Sequence, residues 1–203
     1  MSSHKGNSDS SLTVKADKIE PLSSYLKRHK KHIEYQVIEK LIESVGRQLQ
    51  YLERENMGIA SFNIDDITVF HADAADATHT IHFAITNEDK IHDINDDNYL
   101  VITAPYPKEY TATPATKNKG FHSTEFKDFI AAKTVPYNIH FKSGYYSFGL
   151  LCLYCYVSRA AATTTTTDND LNDILAPIIN TKIYWFLKQV LQENPSSRRY
   201  ICV

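Results

Sequence analysis

The chain has 203 residues, of which 42% are hydrophobic, enough to close one ordinary core in one domain. A formal net charge of −2 with a pI near 6.5 excludes a general nucleic-acid binder, which needs a concentrated positive field. Three cysteines, Cys152, Cys155 and Cys202, exclude a disulfide framework and fit a reducing, intracellular compartment.

Residues 1–23 are polar and read as a disordered tail ahead of a domain spanning 24–203. The opening MSSHKGNSDSS lacks the apolar core of a signal peptide. The basic cluster Lys27-Arg28-His29-Lys30-Lys31-His32 reads as the solvated start of a helix. From 24 to 54, Val37, Ile38, Leu41, Ile42, Val45, Leu49 and Leu52 recur at spacings of three and four, one buried stripe on a helix. Asn56 and Gly58 supply its stop, with positive φ expected at Gly58.

Residues 67–70 and 81–85 alternate as two short strands of a hairpin around the polar turn 71–80. His71, Asp73, Asp76, His79 and His82 invite a metal reading, but they lack fixed ligand spacing, so no metal is expected. Residues 86–120 read as a long loop rich in Pro, Thr, Asn and Lys, and 121–132 as a short helix. Residues 145–159 read as a helix buried nearly all round. It contains the Cys152-Leu-Tyr-Cys155 pair, whose thiols suit core packing better than zinc. Its apolar run is too short for a membrane span, which needs ~20 residues. A low-complexity linker follows at 160–170, then a helix at 171–192 ended by Pro195. Helical spacing of Tyr145, Tyr146, Tyr154, Tyr156, Tyr184, Trp185 and Phe186 assigns these aromatics to the core.

This order of elements resembles the large lobe of a protein kinase over residues 34–203. QLQYLERENMGIASFNIDDITVF resembles the kinase helix and catalytic loop, and FHSTEF the A-P-E segment that closes the activation loop. KSGYYSFGLLCLY is similar to the buried helix that begins D-x-W-S-x-G, and ENPSSRR to the late D-P-x-x-R turn. The nearest resemblance is to divergent kinase-like proteins of giant DNA viruses. The fold this implies is mainly α (α+β): a kinase-like large lobe with one small β-hairpin and no small N-terminal lobe. None of the six glycines is spaced as G-x-G-x-x-G, and about 33 residues precede the matched region, too few for that lobe.

The resemblance also assigns positions. The catalytic His-Arg-Asp falls on Ser61, Phe62 and Asn63, with Asp65 and Asp66 close by. An amide such as Asn63 is a very weak base. The metal-binding D-F-G falls in Thr86-Asn87-Glu88-Asp89-Lys90, where Asn87 and Asp89 stand without Phe or Gly. The helix aspartate falls on Gly144. Phosphoryl transfer depends on positioning and metal ligands, so these losses imply a catalytically inactive, pseudokinase-like domain. Glu125 and Arg198 occupy the positions of the kinase ion pair that ties the A-P-E segment to the helical core, with Arg199 as the alternative partner.

The leading expectation is a scaffold or protein-binding module with a protein partner, no nucleic acid, no membrane and no cofactor beyond weak ATP–magnesium. Phe62 is its expected contact residue. The alternatives are a serine/threonine kinase fragment completed by a nucleotide lobe from another chain, using Asp65 or Asp89, and a structural virion protein. Location in the host cytoplasm or the virion follows from the viral resemblance.

Overall fold

In the computed structural model, residues 16–29, 33–72, 80–105, 120–156 and 168–200 are described. Helix α1 is Leu22–Arg28, and α2 is Tyr35–Arg54. The expected single helix over 24–54 is therefore two. The stripe on α2 faces inward as its periodicity requires, burying Ile38, Leu41, Ile42, Val45, Leu49 and Leu52. The residue that stops α2 is Asn56, with φ 56°. Gly58 has ordinary φ and instead sits in a strand, where a β-carbon would stand 3.2 Å from the Leu100 side chain.

Nine short strands are present among the described residues. β1 (Lys18–Pro21), β4 (Ile67–Ala72) and β5 (Thr80–Ile85) form an antiparallel sheet with β4 central. The hairpin expected at 67–85 is thus present, but it has gained a strand from the segment assigned to the disordered tail. Glu20 of β1 accounts for that docking. It is buried, accepts from His71 Nε2 at 2.8 Å, and pairs with Lys18 at 3.2 Å and with Arg28 of α1. Burial alone would raise its pKa, but these three neighbours together bring it below the usual carboxylate range. His71 is therefore a partner of Glu20, His82 is exposed on β5, and Asp73, Asp76 and His79 lie outside the described residues.

The other strands form two-stranded antiparallel pairs. β2 (Met57–Ile59) pairs with β6 (Ile91–Asp93), β3 (Phe62–Asn63) with β8 (Gly120–Phe121), and β7 (Tyr99–Ile102) with β9 (Tyr137–His140). The described part of the expected loop 86–120 thus contains β6 and β7 and ends at β8. Helix α3 is Thr124–Ala132, capped by Ser123 Oγ accepting from the Phe126 amide at 3.2 Å. Helix α4, Ser143–Tyr156, is buried almost all round. Helices α5 (Asp168–Leu175) and α6 (Lys182–Val190) replace the continuous helix expected over 171–192. Residues 160–167 of the expected linker lie outside the described residues, whereas 168–170 begin α5.

Of the described residues, 52% are helical and 23% are in strands. That overturns the expected mainly α kinase-like lobe with one small hairpin. The chain is mixed α/β, with six helices and four small sheets among the described residues, and has no clear match to a kinase large lobe. The physical reason is length. Strands of two to four residues cannot establish a period of two, and their partners lie far along the sequence.

The main core joins the stripe of α2 to Phe148, Leu151 and Cys152 of α4, to Ile183, Phe186, Leu187 and Val190 of α6, and to Ile67, Val69 and Phe83 of the three-stranded sheet. A second cluster joins Ala60, Leu100, Ile102, Phe126, Phe129 and Ile139. Cys152 and Cys155 are buried free thiols, whose pKa values burial pushes up. Cys202 lies outside the described residues. Among the aromatics assigned to the core, Tyr145, Tyr154 and Phe186 are buried. Trp185 is 53% exposed, because it lies off the stripe that α6 turns inward.

Candidate functional site

The segment between β2 and β4 is fixed by short side chains of α4. Ser143 Oγ donates to the Ala60 carbonyl at 2.7 Å and meets Ser123 Oγ at 2.6 Å. Ser147 Oγ accepts from the Phe62 amide at 2.6 Å and donates to the Phe121 carbonyl. Gly144 makes this approach possible, since a β-carbon there would stand 2.1 Å from the Ile59 carbonyl oxygen. An aspartate cannot occupy that position with the helix where it is. The hydroxyls of Ser143 and Ser147 hold the loop backbone instead.

At the end of the segment, Asn63 precedes a single 3₁₀ turn, Ile64–Asp66, that presents Asp66 inward. Asp66 Oδ2 accepts from the Asn63 amide at 2.5 Å and pairs with Lys90 Nζ at 2.5 Å. Its other oxygen, Oδ1, accepts from Asn87 Nδ2 at 2.8 Å. Both carboxylate oxygens are therefore engaged by charged or dipolar donors.

Lys90 opens onto a cleft of about 310 Å³. Ala60, Ile102, Phe126 and Phe129 make its apolar side, and Ser61, Asn87, Asp89 and His92 its polar side. Burial lowers the pKa of Lys90, with Asp66 opposing the shift, and burial also lowers that of His92, with Asp93 opposing. His122, stacked on Phe126 at 4.9 Å, is driven down to about 4 by burial, with Lys90 and Lys127 adding to the effect. His122 is thus neutral at pH 7.

On the far side of α3, Arg198 is completely buried and all three of its nitrogens donate. Nη1 and Nη2 bond the two oxygens of Glu125 at 2.5 and 3.0 Å. Nε donates to the Gln192 carbonyl at 2.8 Å, Nη2 also to that of Glu193 at 2.9 Å, and Nη1 to that of Lys142 at 3.4 Å. The guanidinium lies over the Tyr146 ring, 4.7 Å from its centroid. Arg199, the alternative partner, is exposed.

No protein-family model matches the chain, and no curated protein matches it in sequence.

The structure brings Ser61, Asn87 and Asp89 to one cleft, and Glu125 to Arg198. It leaves Asn63 outside the cleft lining, buried, with its amide on Asp66. Asp65 is exposed and also outside the lining. Phe62 is a correction: expected at an interface, it is fully buried against Phe148 and Phe121. Of four residues that matter to the site, Ser143 and Ser147 went unassigned in the sequence, and Asp66 and Lys90 appear there only as neighbours of the degenerate kinase positions. Adjacent acids in a turn look alike, and serines in an apolar helix read as neutral filler. Among the described residues, no three His, Cys, Asp or Glu side chains are grouped to hold a metal ion. Likewise, no helix there is long and apolar enough to cross a membrane.

Proposed function

We propose that the chain is a non-catalytic protein-binding module, a scaffold in which segments resembling those of protein kinases serve to hold the fold. The observation that carries this reading is the placement of Asp66. A general base must lie within hydrogen-bond reach of the proton it takes, and Asp66 is buried outside the cleft lining, held there by Lys90, Asn87 and the Asn63 amide. Ser61 at the cleft is no base, and Gly144 offers the loop backbone no carboxylate. The test is ATP–magnesium binding by calorimetry with a sensitive autophosphorylation assay. The expected result is weak or no nucleotide binding and no phosphate incorporation, and measurable turnover would refute the reading.

A second reading, an enzyme completed by another chain, draws on Asp89, which is exposed at the cleft. Activity that appears only with a co-purified partner and disappears in Asp89→Ala would favour it. Asp65 is a poorer choice for that role, because it does not line the cleft.

A further inference from the structure

Helix α6 packs Ile183, Phe186, Leu187 and Val190 into the core and turns Trp185 outward. At 53% exposure, this indole is a large apolar surface left to solvent, and Ile179, just before the helix, is 58% exposed. Lys182 and Lys188 stand one turn before and one turn after Trp185, so all three share one helix face. The helix itself, KIYWFLKQV, contains no acid. Lys188 Nζ donates to the neutral amide of Asn172 at 3.0 Å, and no described residue forms an ion pair with it. The Arg199 amide donates to the Gln189 carbonyl at 3.3 Å, which brings a third cation, exposed like Lys182, beside the last turn of α6, while Lys188 is half-buried. Burial raises the Tyr35 pKa, Glu39 adding to the shift and Thr181 and the Lys182 backbone opposing it, so one acid, Glu39, lies near the start of α6. Asp173 and Glu193 are exposed on neighbouring segments.

We infer that the Trp185 face of α6 is a docking surface for an acidic segment of a partner protein that carries an apolar side chain. The indole supplies a rigid aromatic anchor, the residue type enriched at binding hot spots. The three cations select the charge of the segment and speed its encounter. A nucleic acid fits less well, because the chain as a whole carries −2 and would repel an extended polyanion beyond the patch. This inference rests on the reading of the chain as a protein-binding module.

Trp185 is the single tryptophan of the chain, so its fluorescence reports this surface directly. The experiment titrates the full chain with a short synthetic peptide of interspersed Glu and Leu. A Lys and Leu peptide, a single-stranded oligonucleotide and anionic phospholipid vesicles serve as comparisons. The expected result is a saturable blue shift with the acidic peptide alone, weakened by salt. In the Lys182→Glu, Lys188→Glu double variant the affinity should fall at least about tenfold, with thermal unfolding still cooperative. An unchanged spectrum, an equal response to the basic peptide, or a stronger one to the oligonucleotide or vesicles would overturn the inference. Phosphate turnover would sink the non-catalytic reading and leave this surface standing. A silent Trp185 without turnover would sink the surface alone.

Discussion

The bond between Glu125 and Arg198 joins a fully buried guanidinium to its counter-charge, and Glu125→Ala is the perturbation that measures it. The substitution leaves a fully buried guanidinium with three backbone carbonyls, those of Gln192, Glu193 and Lys142, and removes its counter-charge. Removing one partner of a buried pair costs ~3–5 kcal/mol. The Glu125 side chain is 21% exposed, so water reaches the vacated space and the lower end, ~3 kcal/mol, applies. A domain has only ~5–15 kcal/mol in total, and ~1 kcal/mol moves Tm by ~2–4 °C at this size. Thermal melts followed by circular dichroism should therefore fall by roughly 6–12 °C. Glu125→Gln, which keeps an acceptor oxygen for the guanidinium but no charge, should lose less than Glu125→Ala, because the buried donors of Arg198 stay bonded. An alanine variant melting within ~2 °C of the parent, or a glutamine variant no better than alanine, would refute the reasoning.

Two further outcomes follow from close packing and from burial. A β-carbon at Gly46 would lie 1.5 Å from the Tyr200 hydroxyl, which donates to the Ile42 carbonyl of α2. Gly46→Ala should thus destabilise the parent but stabilise Tyr200→Ala by ~1 kcal/mol, the helix preference for alanine, and urea midpoints would report the change of sign. His122 has its pKa lowered from 6.5 to about 4 in the fold, so the unfolded chain binds the extra proton between those values. Its contribution is complete above pH 6.5 and is lost as pH falls towards 4, by up to ~3 kcal/mol. His122→Phe should flatten the dependence of urea stability on pH in that window, and an unchanged slope would count against the assignment.

Much of the scaffold was legible because it is long or strongly periodic. The stripe of α2, the hairpin of β4 and β5, and the apolar α4 all express one repeating pattern over enough residues to declare it. The pairs β2–β6, β3–β8 and β7–β9 do not, since each strand offers two to four residues and finds its partner through the tertiary fold. Trp185 marks a different limit. Helical spacing places it on α6, but only the set Ile183, Phe186, Leu187 and Val190, read as i, i+3, i+4 and i+7, reveals that 185 points away. In the site, Asp65 and Asp66 are chemically identical neighbours. The turn that exposes one and buries the other is set by the Asn63 amide bonding the second.

The loop from β2 to β4 is held by hydroxyls and a glycine where a charged side chain could have served. A carboxylate held in the interior needs partners for its charge, as Asp66 does with Lys90 and Asn87. The hydroxyls of Ser143 and Ser147 carry no such demand, and each bonds backbone from a segment remote in sequence. Closing the loop in this way fixes one conformation and leaves Ser61 as its polar residue at the cleft. A catalytic loop has a further requirement, because a base must stand within hydrogen-bond reach of the proton it takes. In this chain the buried carboxylates Glu20 and Asp66 and the buried guanidinium of Arg198 all have ionic partners within the fold. Exposed cations without a described acidic partner stand on the outside, Lys182 and Arg199 among them. A protein with its inward charges satisfied can bind through its surface without first rearranging its core, and for this chain that directs attention to α6.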